Sequence, residues 1–278
     1  MITIQDVVAV NGLQKTDVSQ IVNNTVNTWQ PDRSLEEKYL NTQQGKFAEN
    51  AVHFYLNQQL KDDWFYVDYD QIRTDNFQKH APFDGIVMSP ESNRELSDSE
   101  IFQLINDNVN HYGQLDTEVM LDLSWAYGCE PIEIKSTKLS DKIVSQTSNL
   151  REALSLAIQQ NHFLTYPVYK RCSTEDMDFN GYCAFLKSKY NLSTDQVIQI
   201  NVNKHCNVHI HVYVVNDSAF IIGYTHILNL IGNRTIQRFY KKNKSEYALY
   251  FSYPLRLGFP ISLLAGRIMD GDRLDQIV

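Results

Sequence analysis

Cysteine is scarce in this chain. Only Cys129, Cys172, Cys183 and Cys206 occur in 278 residues, and no two of them form a CxxC pair. That scarcity excludes a disulfide framework and makes a reducing cytoplasm the expected home. Positive charge is also short, with 25 Lys and Arg against 33 Asp and Glu and a formal net charge of −8. No global positive field would draw a polyanion, so any nucleic-acid contact has to rest on local basic patches. Long hydrophobic runs are missing: no stretch approaches the ~18 apolar residues of a membrane span. The start, "MITIQDVVAVNGLQK", lacks the basic opening and continuous apolar run of a signal peptide. A soluble, intracellular protein without a membrane partner is the expectation. Gly/Ser linkers, low-complexity tracts and internal repeats are absent as well, so nothing divides the chain, and its 43% hydrophobic content suffices for one large core.

What is present reads as alternating helices and strands. Residues 1–33 are polar, end in the turn signal "WQPDRS", and are expected to form a helical preamble. Ser34 followed by Glu37 is a capping box that opens a helix carrying Ala48, Ala51, Val52 and Tyr55 at helical spacing, weakened near Gly45. Two strands follow, "DWFYVDY" and "APFDGIVM". Residues 89–126 read as an insert holding one short helix behind a second capping box, Ser97 to Glu100. The strand "EPIEIKST" comes next, and "NLREALSLAIQQ" is a strongly amphipathic helix. Beyond it, "HFLTYPVY" predicts a strand, "FNGYCAFLKSKY" a helix, and "QVIQINV", "VHIHVYVV" and "AFIIGY" three strands. The fold class is α/β, a mixed central sheet flanked by helices.

The chemistry gathers on the early elements. In "EPIEIKST" the alternation of an extended chain puts Ile132 and Ile134 on one face and Glu133 and Lys135 on the other. Glu49 lies at the edge of the apolar face of the first long helix, and Asp84 sits at its strand among Phe83, Ile86 and Val87. Paired carboxylates with a backbone carbonyl are the hard oxygen ligands that Mg²⁺ takes, which points to Asp84, Glu133 and the Ile134 carbonyl. A neighbouring lysine, Lys135, can orient or deprotonate a metal-bound water, provided that burial and a nearby cation keep its pKa low.

The set "GKFAEN", "PFDGIV" and "EIKST", carrying Glu49, Asp84, Glu133 and Lys135 in that order between two helices, resembles the PD-(D/E)XK nuclease superfamily, with its restriction-endonuclease-like fold. The likeness covers residues 34–160. Pro82 stands one residue removed from Asp84, and the long interval to Glu133 accommodates an insert. The resemblance implies a nuclease domain over residues 34–278, with a core at 34–170 and a C-terminal sheet elaboration at 171–278, behind an N-terminal helical extension at 1–33. It implies Mg²⁺-dependent hydrolysis of DNA phosphodiesters, with Mn²⁺ able to substitute. Asp84, Glu133 and the Ile134 carbonyl would hold metal, Lys135 would position water, and Glu49 would support a second metal or Lys135. Many members cut as dimers, which leaves room for a homodimer. A type II restriction enzyme and a structure-specific phage or repair nuclease are nearly equal alternatives.

Two other features stay open. "RTIQRFYKKNK" gathers Arg234, Arg238, Lys241, Lys242 and Lys244 around Phe239 and Tyr240, either as a grip on DNA phosphates with an aromatic to stack on a base or as a solvated basic turn. "KHCNVHIH" places His209 and His211 on one strand face, with His205, Cys206 and Cys183 as further candidate ligands for Zn²⁺, although the spacing matches no zinc finger. The competing classes are therefore a zinc hydrolase centred on those histidines and a nucleic-acid-binding module that has kept the fold without turnover.

Overall fold

Capping residues and alternation place most of the element boundaries. The structure, a computed structural model, describes residues 1–24, 34–168, 178–241 and 246–271. In chain order its first half contains β1 (Val8–Asn11), α1 (Ser19–Asn24), α2 (Leu35–Gln59), β2 (Phe65–Asp68), α3 (Tyr69–Ile72), β3 (Gly85–Met88), α4 (Asp98–Asn108), α5 (Thr117–Trp125) and β4 (Glu130–Thr137). The second half contains α6 (Asp141–Val144), α7 (Leu150–Gln160), β5 (His162–Thr165), α8 (Phe179–Tyr190), α9 (Thr194–Asn203), β6 (Val208–Val215) and β7 (Ser218–His226). It closes with α10 (Ile227–Gly232), β8 (Ile236–Lys241), β9 (Glu246–Pro254) and α11 (Leu264–Met269). At the head of α2 the Glu37 N–H donates to Ser34 Oγ at 3.2 Å, and Glu37 Oε2 accepts from the Ser34 N–H at 3.0 Å. Two orphan donors are thus satisfied. The same box opens α4 at Ser97 and α9 at Ser193. Gly45 lies within α2 without interrupting it.

The main sheet runs β1-β7-β6-β4-β3-β2. Strands β2, β3 and β4 form an antiparallel meander, β4 pairs in parallel with β6, and β6 and β7 make an antiparallel hairpin. A parallel neighbour needs a long crossover, here supplied by the segment from α6 to α9. Helix α2 packs Ala48, Ala51, Val52 and Leu56 against Ile132, Ile134, Val208 and Ile210 on one face. On the other face α4 sets Ile101 and Ile105 on Ile86 and Met88, while α7 and α8 join Tyr213 and Ile222. A second, antiparallel sheet, β5-β9-β8, flanks this layer. The architecture is a mixed α/β sheet between helices.

Several expectations need correction. Residues 8–11 are not part of a helical extension but an edge strand on β7, paired Val8 to Ile221 and Val10 to Ala219, because Val10 has a core position to fill. "QVIQINV" is helix α9, where the Ser193 cap and the burial of Val197 and Asn201 on one face outweigh its β-branched content. The insert holds a second helix, α5, capped by Asp116. Strands β6 and β7 complete the central sheet instead of elaborating it. "HFLTYPVY" contributes only His162–Thr165, to the second sheet, and positions 169–177 lie outside the described residues.

Candidate functional site

Strand β4 runs on past its antiparallel partner. The β3–β4 ladder reaches Gly85 opposite Ile132, and just before it the Asp84 N–H donates to the Ile132 carbonyl at 3.0 Å. The Asp84 carboxylate then accepts from the Ile134 N–H at 2.5 Å. Asp84 is therefore fastened to β4 where the two strands part. Gly85 is needed there for space: a Cβ would lie 2.0 Å from Tyr66 Oη. Farther along, residues 133–137 keep β6 on one side and open onto a cleft on the other. The N–H and C=O of one residue leave an extended strand on the same side, so the Ile134 carbonyl is directed to this open edge together with the N–H that holds Asp84.

The cleft, about 720 Å³, is lined by all five expected residues: Glu49, Asp84, Glu133, Ile134 and Lys135. Alternation works as the sequence implies, with Ile132 and Ile134 buried under α2 and Glu133 and Lys135 half-buried on the opposite face, joined as an ion pair. Burial raises the Asp84 carboxyl well above the carboxylate range, and the charges of Glu133 and Glu49 raise it further. Glu49 is also raised by burial, against the pull of Lys46, which bridges Glu49 and Asp70. Burial alone would lower Lys135, but Glu133 and Asp84 outweigh it and hold the amine above its ordinary value. This departs from the low-pKa lysine expected: as the site stands, Lys135 is a cation and a donor.

Among the described residues, no three His, Cys, Asp or Glu side chains stand together as a metal-binding group. The expected ligand set is smaller, two carboxylates and a carbonyl, and Mg²⁺ commonly completes such a set with waters. The electrostatic pressure on Asp84 from Glu133 and Glu49 fits a cation, which would relieve it. For Zn²⁺ the fit is poor. His209 and His211 lie in register with Glu133 and Lys135 on β6, both buried. Burial lowers His209 well below the usual imidazole range, with the His205 and Lys135 charges adding, and burial alone takes His211 down to about 4. His211 Nε2 is engaged by Thr137 Oγ1 at 3.0 Å. Both rings are held neutral by burial; His211 borders the cleft, and His209 does not.

Of the basic segment, Ile236–Lys241 form strand β8. Phe239 lines the cleft, whereas Arg234 and Arg238 do not; Arg238 projects from the other side of β8, and the Arg234 guanidinium stands 6.0 Å from the Phe179 ring. Lys241 closes the strand, and Lys242 and Lys244 lie outside the described residues.

Besides Phe239, residues not foreseen complete the cleft. One wall is an ion chain in which Arg73 reaches Asp70 at 3.1 Å and Asp75 at 2.7 Å, with Lys46 and Lys79 nearby. Among the described residues, basic Lys46, Arg73, Lys79 and Lys135 equal in number acidic Glu49, Asp70, Asp84 and Glu133. The facing wall carries Tyr166, Phe239 and Tyr250. The i, i+3 spacings of Lys46 with Glu49 and of Asp70 with Arg73 were the local signals of the chain; the aromatic wall comes from distant segments. Comparison with protein-family models, with curated proteins and with solved structures returned no match.

Proposed function

We propose that the chain is a metal-dependent DNA endonuclease of the PD-(D/E)XK type, working with Mg²⁺ or Mn²⁺. The observation that carries this reading is the convergence of Glu49, Asp84, Glu133 and Lys135 on one cleft, at the point where β3 and β4 separate. The four come from a helix, a strand start and a second strand in the chain order that the resemblance requires. Asp84, Glu133 and the Ile134 carbonyl would hold the ion, which when bound polarises a phosphoryl oxygen and acidifies a water.

The chain's own groups do the positioning. The Ile134 N–H fixes the Asp84 carboxylate against β4, so that the acid does not need to be ordered when substrate arrives. Lys135, kept protonated by Glu133, presents a positive donor to a phosphate oxygen or an attacking water and opposes the negative charge that grows during in-line displacement. Glu49 is held by Lys46 beside this group, where it supports either Lys135 or a second cation site. Family behaviour would leave a 5′-phosphate and a 3′-hydroxyl. A cytoplasmic location accords with Cys129, Cys183 and Cys206 being buried thiols.

The test is cleavage of plasmid, branched and single-stranded DNA with Mg²⁺ or Mn²⁺, with EDTA, and with Lys135→Met and Asp84→Asn after their folding is verified by circular dichroism. Cutting by the wild type with metal, lost in EDTA and reduced about a hundredfold or more in both variants, is expected. No cutting of any substrate by the wild type would leave a binding module as the better reading.

A further inference from the structure

Resting on the nuclease reading, we infer that the cleft takes its DNA unpaired, holding a splayed base on the aromatic wall formed by Tyr166, Phe239 and Tyr250. These three rings reach the cleft from three places in the chain: just after β5, on β8 and on β9. They form a contiguous surface. The Tyr166 and Tyr250 rings lie 4.3 Å apart at a 37° tilt with their hydroxyls 2.5 Å apart, and Phe239 stands edge-on to Tyr250 at 5.2 Å and 90°. Large apolar rings that merely fill a core are covered, yet Phe239 is 44% and Tyr166 38% exposed. The wall also lies beside the chemistry, lining the same cleft as Glu133 and Lys135.

The electrostatics point the same way. Four basic side chains in the cleft face four acidic ones, and Arg73 is already engaged by Asp70, Asp75 and the Lys79 carbonyl. A protein that grips duplex DNA through its phosphates needs an excess of uncommitted lysine and arginine, which the described residues of this cleft do not offer. Stacking needs no such excess, accepts every base and is closed to a base buried in a duplex. The floor that would hold the scissile phosphate and the wall that would hold a base are parts of one cavity of about 720 Å³, so both contacts fall within one short single-stranded segment.

The experiment measures binding and cutting separately. Binding is followed in EDTA by the fluorescence of 2-aminopurine placed in a single-stranded oligonucleotide and in the matching duplex. The wild type should quench the single-stranded probe and bind it at least tenfold more tightly than the duplex. Phe239→Leu and Tyr166→Ala should each weaken single-strand binding roughly tenfold, the scale of one lost base stack, whereas Phe239→Tyr and Tyr166→Phe, which keep the ring, should bind like the wild type. Equal affinity for the two probes, no binding by any form, or equal losses in the ring-keeping and ring-removing variants would each overturn the inference. Metal-dependent cutting of duplex that is indifferent to these substitutions would overturn it while leaving the nuclease reading intact. Ring-dependent binding without any cutting would sustain the stacking wall and remove the nuclease.

Discussion

At the scale of single residues, the cleft depends on groups whose protonation is set by their surroundings. His211 is the clearest case, because it is buried, donates or accepts only toward Thr137, and stays neutral down to about pH 4. In the unfolded chain the same ring takes up a proton near pH 6.5. Above that pH its contribution to stability is fully present; as pH falls from 6.5 toward 4 the unfolded state binds a proton that the folded state refuses, and stability is lost. A difference of that size corresponds to roughly 3 kcal/mol. Urea unfolding at pH 7 and pH 5 should therefore show a marked loss for the wild type and a smaller one for His211→Gln, with His209 supplying the remainder. Identical losses would mean that another group controls the acid limb. Gly85 shows a different dependence, since the Tyr66 hydroxyl occupies the place of its missing side chain. An Asp-Gly pair read from sequence suggests a turn, but here the glycine starts a strand and the constraint is steric.

At the scale of elements, legibility followed periodicity. Strands β4 and β6 and helices α7 and α8 coincide with the segments read from sequence, because each has a clean apolar face of period 2 or 3.6. Helix α9 was misread because Val197, Ile198, Ile200 and Val202 resemble a buried strand, and only the capping box at Ser193 argued otherwise. Strand β1 was missed because four residues with a single buried side chain carry little pattern. The acid and lysine positions were legible from residue type and order. Of their wall-mates, Phe239 was legible as a stacking ring, but Tyr166 and Tyr250 were not, since the three meet only through the β5-β9-β8 sheet. Helix α2 carries Lys46 and Glu49 into the cleft, and its first turn depends on the Ser34 box. Ser34→Ala should lower stability by about 1 kcal/mol in urea titration. Cleavage well below the melting temperature should be unchanged, since Glu49 lies four turns from the cap. A loss of activity at full folding would show that the cap also sets the position of Glu49.

At the scale of the whole molecule, the proposed function sets a net charge of −8, and a cleft whose described basic and acidic residues are equal in number, against DNA. Affinity should fall only gently with salt: at about 0.7 per phosphate on a single strand, even four contacts give a log–log slope no steeper than about −3. Fluorescence titrations from 50 to 200 mM salt, on the order used for such slopes, measure it directly, and a much steeper slope would indicate an extensive basic surface. The described helices include none long and apolar enough to cross a membrane. The sheet order has a further consequence, for the timing of synthesis. Strand β4 holds Glu133 and Lys135, but its parallel neighbour β6 is translated much later, after the entire crossover. Loop closure over such a distance is slow and comes late in folding. A partly synthesised chain therefore carries every residue of the acid and lysine set, with β3 and β4 able to pair, before β6 and β7 emerge to complete the sheet beside them.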